Sequence, residues 1–416
     1  MGADQEIKIY LSTTSPLEPI YVSHFQSSDN SLGSDYLAQL ESVLCFDFNH
    51  NSITKAVYLK DQNEKSLRHP LIKGEVKNKA LTLAVISWQD GNKGSSKKFP
   101  EVTLSGNIGT DRRTIHRLAD AILKSIYGYE GVAATKILYS VKHKVQNKWI
   151  SEIWSCDWDG ANAKQITHDK SLSVTPVFMP YSPQYSNNNF LYVSDKSGQL
   201  KVYIASLNDG VGKKFLDIRK NQLLPAVSPQ RDKIAFISDA AGAADLFLQE
   251  FNPKTGEVGK PVQLFSYPNS AQATPTFSPD GSKLAFVSDK DGAPRIYLIP
   301  ATFNKKRAEP VLITRQNSEN SCPAWSPDGK KLAYSAKTKG TRQIWIYDFE
   351  SREEWQLTDG TENKENPSWA PDSKHLVFNS TDGHVSELYI VNLNQPDVVK
   401  ISQGSGVKHY PTWGKN

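Results

Sequence analysis

Three aspartates that recur at nearly equal spacing, Asp280, Asp328 and Asp372, are the first residues to test for chemistry. Carboxylates repeated in this way could ligate a cation or serve as acid and base. Their neighbours point elsewhere. In Ser278-Pro279-Asp280-Gly281 and Ser326-Pro327-Asp328-Gly329 the proline presets φ, the aspartate bonds its own backbone, and the glycine takes positive φ. That is tight-turn chemistry, and it accounts for the aspartates without catalysis or metal binding. The nine histidines are dispersed, with no His-x-x-x-His pair and no neighbouring Cys-x-x-Cys. No Gly-x-Ser-x-Gly nucleophile elbow occurs. His409 precedes the last strand and reads as a solvent-facing or hydrogen-bonded histidine rather than a ligand. No cofactor is expected.

The turns belong to a larger repeat. Its clearest copies are Pro275-Thr276-Phe277-Ser278-Pro279-Asp280, Pro323-Ala324-Trp325-Ser326-Pro327-Asp328 and Pro367-Ser368-Trp369-Ala370-Pro371-Asp372. Weaker copies start at Pro176 and Pro225, and Pro411-Thr412-Trp413 lies at the C-terminus. A period of 44 to 50 residues marks a stacked or radial repeat. Each motif is followed by apolar runs such as Leu284–Val287, Arg295–Ile299 and Pro310–Ile313. Short aromatic and β-branched runs separated by Gly, Pro and Asp predict strands. Four strands per repeat make one propeller blade.

Second-strand runs begin near Ile137, Phe190, Ile234, Leu284, Leu332 and Leu376, which predicts six blades. The run at Ile137 lacks a Pro-x-aromatic strand before it, and Pro411–Trp413 lacks a strand after it. Each fragment supplies what the other lacks, so the C-terminal strand is expected to close the ring and remove the open edge. The expected class is α+β: a small α/β domain over residues 1–130, a boundary at Tyr129–Thr135, and a six-bladed all-β propeller over 136–416. In the first domain, apolar stripes predict helices over Asp111–Gly128 and from Ser34 to about Leu44. Strands are expected at Ile7–Leu11, Ile20–Phe25, Ala56–Tyr58, Leu81–Ser87 and Glu101–Leu104, with a polar hairpin loop over Asp90–Lys98.

The chain has 416 residues, 38% hydrophobic and 22% charged, with a net charge of +5. Its lysines and arginines are scattered, which argues against a nucleic-acid surface. No stretch is apolar enough to insert in a membrane, and polar residues after Met1-Gly2-Ala3-Asp4 give no signal-peptide h-region. Cys45, Cys156 and Cys322 have no metal spacing and allow at most one disulfide.

An α/β domain followed by blades marked Pro-x-[Phe/Trp]-Ser-Pro-Asp-Gly-x-x-Leu-Ala-Phe resembles the TolB family, periplasmic proteins of the Tol–Pal system. The resemblance includes Glu6–Leu11, Tyr127-Gly128 before Ile137–Ser140, and Glu152–Gly160. It implies a non-enzymatic, monomeric scaffold in the periplasm. Such proteins bind the outer-membrane lipoprotein Pal through loops around one propeller mouth and TolA through an N-terminal peptide. They support outer-membrane integrity and constriction at division, and colicins exploit the Pal site in some bacteria.

Carried onto this sequence, the Pal-side positions are Asn221, Leu224, Ala273, Thr274, Cys322 and Asn366. Asn221 stands where the family commonly has histidine and Thr274 where it has an acidic residue. The TolA-side positions are Glu6, Ile7, Lys8, Ile9, Tyr10 and Leu11. Their alternation fits pairing with a sheet edge, either within this domain or on a partner. The alternatives at this point are a propeller holding a small ligand or sugar in its tunnel, and a lyase- or peptidase-type propeller. The inner-strand residues Ala226, Val227, Thr276, Ala324, Ser368 and Thr412 are mostly small, which favours a structural tunnel.

Overall fold

The computed structural model describes residues 15–59, 63–89, 92–185, 188–216, 218–254, 256–303 and 308–414. The expected strand Ile7–Leu11, and with it all six TolA-side positions, lies outside the described residues. Contacts divide the chain into two units. One runs to Ile122 and includes Asn392–Asp397, and the other comprises Leu123–Val391 and Val398–Asn416.

In the first unit, Glu18–Val22 pairs in parallel with Thr54–Tyr58 on one side and with Leu71–Lys77 on the other. Leu71–Lys77 then forms an antiparallel hairpin with Ala80–Gln89, turning at Asn78 and Lys79, both with positive φ. The stretch expected to be a polar loop is instead an edge strand over Asn92–Lys98, paired with Ala80–Gln89. Polar composition did not prevent pairing, because an edge strand needs ladder bonds and little apolar area. Two helices span Ser34–His50 and Ile108–Tyr127. The first runs a turn and a half beyond Leu44 because Cys45 and Phe48 continue its buried stripe. The second begins a turn earlier than the expected Asp111, because Asn107 caps it through its Oδ1, 3.2 Å from the Thr110 amide. Asp111 is buried and accepts the Ser105 and Gly106 amides.

The second unit holds six four-stranded antiparallel sheets. Blade one runs Lys164–Gln165, Lys148–Asp157, Lys136–Val145 and then Val407–Gly414, with Ile137 opposite Trp413. The C-terminal strand therefore closes the ring as expected. The other inner strands, for blades two to six, are Ser173–Phe178, Leu223–Val227, Gln272–Phe277, Asn320–Trp325 and Asn363–Trp369.

Apolar clusters sit between blades and not within them. One joins Ala235, Ile237 and Leu248 to Phe277, Leu284 and Phe286; the next joins Ala285 and Val287 to Leu332 and Tyr334. The motif aromatics serve these seams: Trp369 Nε1 donates to the Ala324 carbonyl of the preceding blade at 2.9 Å. At the ring closure Trp413 Nε1 donates to Thr135 Oγ1 at 2.6 Å. A blade alone leaves both faces in water, so each sheet is stable only with its neighbours.

Candidate functional site

The two ends of each inner strand are built differently. At the outgoing end the Ser-Pro-Asp turns behave as their composition requires. Asp280 Oδ1 accepts Ser278 Oγ at 2.5 Å and the Ser282 amide at 3.0 Å. These bonds hold its carboxyl down at about 2. Gly281 and Gly329 take φ of 70° and 76°. In the blade-three copy, where the sequence reads Pro229-Gln230-Arg231, Arg231 occupies the same positive-φ position, and its Nε donates to the Pro180 carbonyl at 2.6 Å. Asp372 accepts the His375 Nδ1 at 2.6 Å in a pair packed near Trp158 and Trp413. Burial would raise the Asp372 carboxyl, but the His375 ring and the Lys374 and His375 amides hold it below its usual range.

The incoming end carries a feature that recurs in all six blades. Each inner strand has a β-bulge in which two residues face one on the neighbouring strand. The second bulge residue is always the motif proline, whose missing N–H is tolerated where the ladder is already broken. The first is always left-handed: Thr175, Leu224, Thr274, Cys322, Asn366 and Tyr410, with φ of 48°, 50°, 42°, 51°, 54° and 52°. The residue opposite is always a buried aromatic: Tyr192, Phe236, Phe286, Tyr334, Phe378 and Tyr139.

Left-handed φ favours glycine, and for β-branched or bulky residues it is a genuine outlier. None of the six positions is glycine, although the chain has 25 glycines. Each position therefore carries strain on the order of 1–3 kcal/mol that a glycine would relieve. Keeping side chains there is what a contact surface would require.

Four of the six expected Pal-side residues fall on this ring: Leu224, Thr274, Cys322 and Asn366. They lie inside strands at a bulge, not in the connecting loops, which corrects the expectation of mouth loops. Ala273 is the strand residue before Thr274, and Asn221 lies just before its strand. Thr175 and Tyr410 complete the ring and were missed, although both precede a motif proline, which was the available signal.

One pair of neighbouring ring members touches. Cys322 Sγ donates to Asn366 Oδ1 at 3.2 Å, and Asn366 Nδ2 donates to Asn379 Oδ1 at 2.8 Å. Burial, together with the Glu365 charge, pushes the Cys322 thiol up to about 11, so it is no thiolate nucleophile at neutral pH. Burial and the same two groups, Cys322 and Glu365, raise the Tyr410 phenol. Cys45, Cys156 and Cys322 are all free thiols. His409 is half-buried; burial and then Lys142 hold its pKa down, and its carbonyl accepts Ser140 Oγ at 3.1 Å.

Around the ring, blades two to four share a clamp. Asp195, Asp239 and Asp289 accept the amides of Leu172, Asn221 and Ala271 at 2.9, 2.9 and 2.7 Å. Asn221 Nδ2 adds a second bond to Asp239 at 2.9 Å. Partial desolvation would raise the Asp239 carboxyl, but these two donors leave it below its usual range. In blade five Arg342 bridges Glu319 and Glu365 at 3.2 and 3.4 Å.

The family model described as the TolB beta propeller domain matches residues 123–416. The chain belongs to the TolB family. A TolB homolog of Protochlamydia amoebophila is 48% identical over 87% of this chain and 82% of its own length. One from Chlamydia trachomatis serovar D is 39% identical over 87% of this chain and 80% of its own. The crystal structure of TolB from Acinetobacter baumannii superposes with a TM-score of 0.77, covering 96% of this chain and 97% of that one. At 17% identity, that likeness speaks for the fold alone. Among the described residues no helix is long and apolar enough to cross a membrane.

Proposed function

We propose that this chain is a non-enzymatic periplasmic scaffold of a Tol–Pal envelope system, binding Pal at the propeller mouth that carries the bulge ring and TolA through Glu6–Leu11. The observation that carries the Pal side is the ring itself. Six strained positions retain Thr, Leu, Thr, Cys, Asn and Tyr where glycine would cost least. The ring holds no carboxylate, histidine or lysine, so it supports a contact surface better than a reaction centre. Protein interfaces concentrate their binding energy in a few central residues. Through both partners the protein would link the two membranes and support constriction of the outer membrane at division.

Calorimetric titration with the Pal peptidoglycan-binding domain of the same organism tests this. Binding is expected, weakened at least tenfold in Leu224→Arg and Ala273→Arg, because a cation at a packed interface centre remains unpaired (about 1.4 kcal/mol or more). Absence of binding at high micromolar Pal would reject the Pal assignment. On the TolA side, deletion of residues 1–13 should abolish TolA binding, and intact binding by the truncated chain would reject that assignment.

A further inference from the structure

The mouth that carries the ring is lopsided. In blades two, three and four the second strand ends two residues beyond the bulge-facing aromatic, at Ser194, Ser238 and Ser288, and six residues bridge to the third strand. In blades five and six the second strand runs four residues beyond its aromatic, to Thr338 and Asp382, and turns in two. In blade one it runs six residues beyond Tyr139, to Val145, and turns at Gln146-Asn147, both with positive φ. Tyr139 pairs with Trp154 across fourteen intervening residues, whereas Tyr192 pairs with Tyr203 across ten, so at the usual strand rise two extra residues per strand lift this hairpin roughly 7 Å higher than its counterpart in blade two.

The tip of this tallest hairpin has an unusual surface. Lys142, Lys144, Lys148 and Trp149 are all exposed, Trp149 to 56%, and Val145 beside them to 43%. No acidic residue lies between Lys142 and Trp149. The register sets Lys144 opposite Trp149 and Lys142 opposite Ser151, so Lys142, Lys144 and Trp149 share one face. The Lys142 ammonium lies 5.1 Å from the Trp149 ring. In blades two to four the clamp carboxylates are engaged by backbone amides.

We infer that the blade-one hairpin tip, Lys142–Trp149, is a docking wall for an acidic polypeptide segment carrying an apolar side chain that binds at the mouth bearing the ring. The argument is charge complementarity joined to an exposed tryptophan. Lysines are point charges that steer an acidic partner and speed encounter, while an exposed indole supplies an anchor that slows departure. The inference rests on the mouth being the partner site, as proposed above.

The test is stopped-flow association of the intact protein with the Pal domain, run beside titration with a synthetic glutamate-rich, leucine-containing peptide. The charge-reversed variant Lys142→Glu/Lys144→Glu/Lys148→Glu should associate about tenfold more slowly at low salt, with the difference closing at high salt. Trp149→Ala should dissociate about tenfold faster, with little change in association. Unchanged rates in both variants would overturn the inference while leaving the Pal reading intact. If wild type fails to bind Pal, that reading falls, and the peptide decides the hairpin alone. Peptide binding that is lost on charge reversal supports the wall. No peptide binding overturns it, as does binding of phosphatidylglycerol vesicles in its place.

Discussion

The two ends of one inner strand make the most instructive comparison in this molecule. At the outgoing end, residue identity repeats from blade to blade: Ser, Pro, Asp and Gly recur because each satisfies one requirement of the turn. At the incoming end, the backbone repeats and identity does not. Six left-handed bulges carry five residue types. Where conformation and residue type repeat together, the conformation explains the residue. Where a costly conformation repeats under changing side chains, it explains the proline and the buried aromatic opposite but not the identity of the variable side chain.

The largest expected effect would break the bulge from behind. Phe286 is fully buried opposite Thr274-Pro275 and belongs to the seam between blades three and four. Phe286→Ala should destabilise the propeller by about 3–5 kcal/mol, seen as a lowered midpoint in denaturant unfolding. A loss below 1 kcal/mol would mean that the bulge does not depend on its aromatic.

A smaller effect is expected at the turn end, where Asp372 faces His375. Its carboxyl is held below the usual range when folded. Its stabilising contribution is therefore complete above the unfolded carboxylate value of about 4 and is lost as pH falls below that toward the folded value. Asp372→Asn should be less stable than wild type at neutral pH, and the gap should narrow on acidification. A gap that stays constant through that range in urea titrations would show that the charge is not what matters.

The smallest effect sharpens the comparison most. Gly281 has φ of 70°, and a Cβ there would lie 2.3 Å from Gln230 Oε1, so Gly281→Ala should cost about 1–2 kcal/mol. Thr274→Gly, at φ 42°, should change stability by less than about 1 kcal/mol, because relieved strain offsets the added chain entropy. Calorimetry would then show Pal binding weakened in Thr274→Gly and unchanged in Gly281→Ala. Equal binding in the two variants would remove the functional distinction between the ends.

Much of the fold was legible in the sequence because propeller blades are repeats. The Pro-x-aromatic motif gives the inner strand, and the spare strand at Pro411 matches the incomplete blade at Ile137, so ring closure followed from counting. The strand Asn92–Lys98 was not legible, since its polar residues carry no alternation. Four of the six ring positions were legible in a more limited way. Leu224, Thr274, Cys322 and Asn366 came from the family resemblance, anchored on the prolines that follow them, which implied loops where the structure has strand bulges. Thr175 and Tyr410 precede Pro176 and Pro411 in the same way, but those copies of the motif are weak or incomplete, and only the bulge geometry groups them with the other four.

The sequence by itself determined the blade count, the turn chemistry, the closing strand and the lack of any nucleophile motif, because each depends on residues close together in the chain or on a period that repeats. The tertiary structure alone decided that six distant Xaa-Pro pairs form one ring, that Cys322 meets Asn366 across a blade boundary, and that blade one stands tallest at the mouth. Those facts depend on how strands 44 to 50 residues apart are brought around one axis. Local residue preferences carry no record of that arrangement; inter-blade packing imposes it.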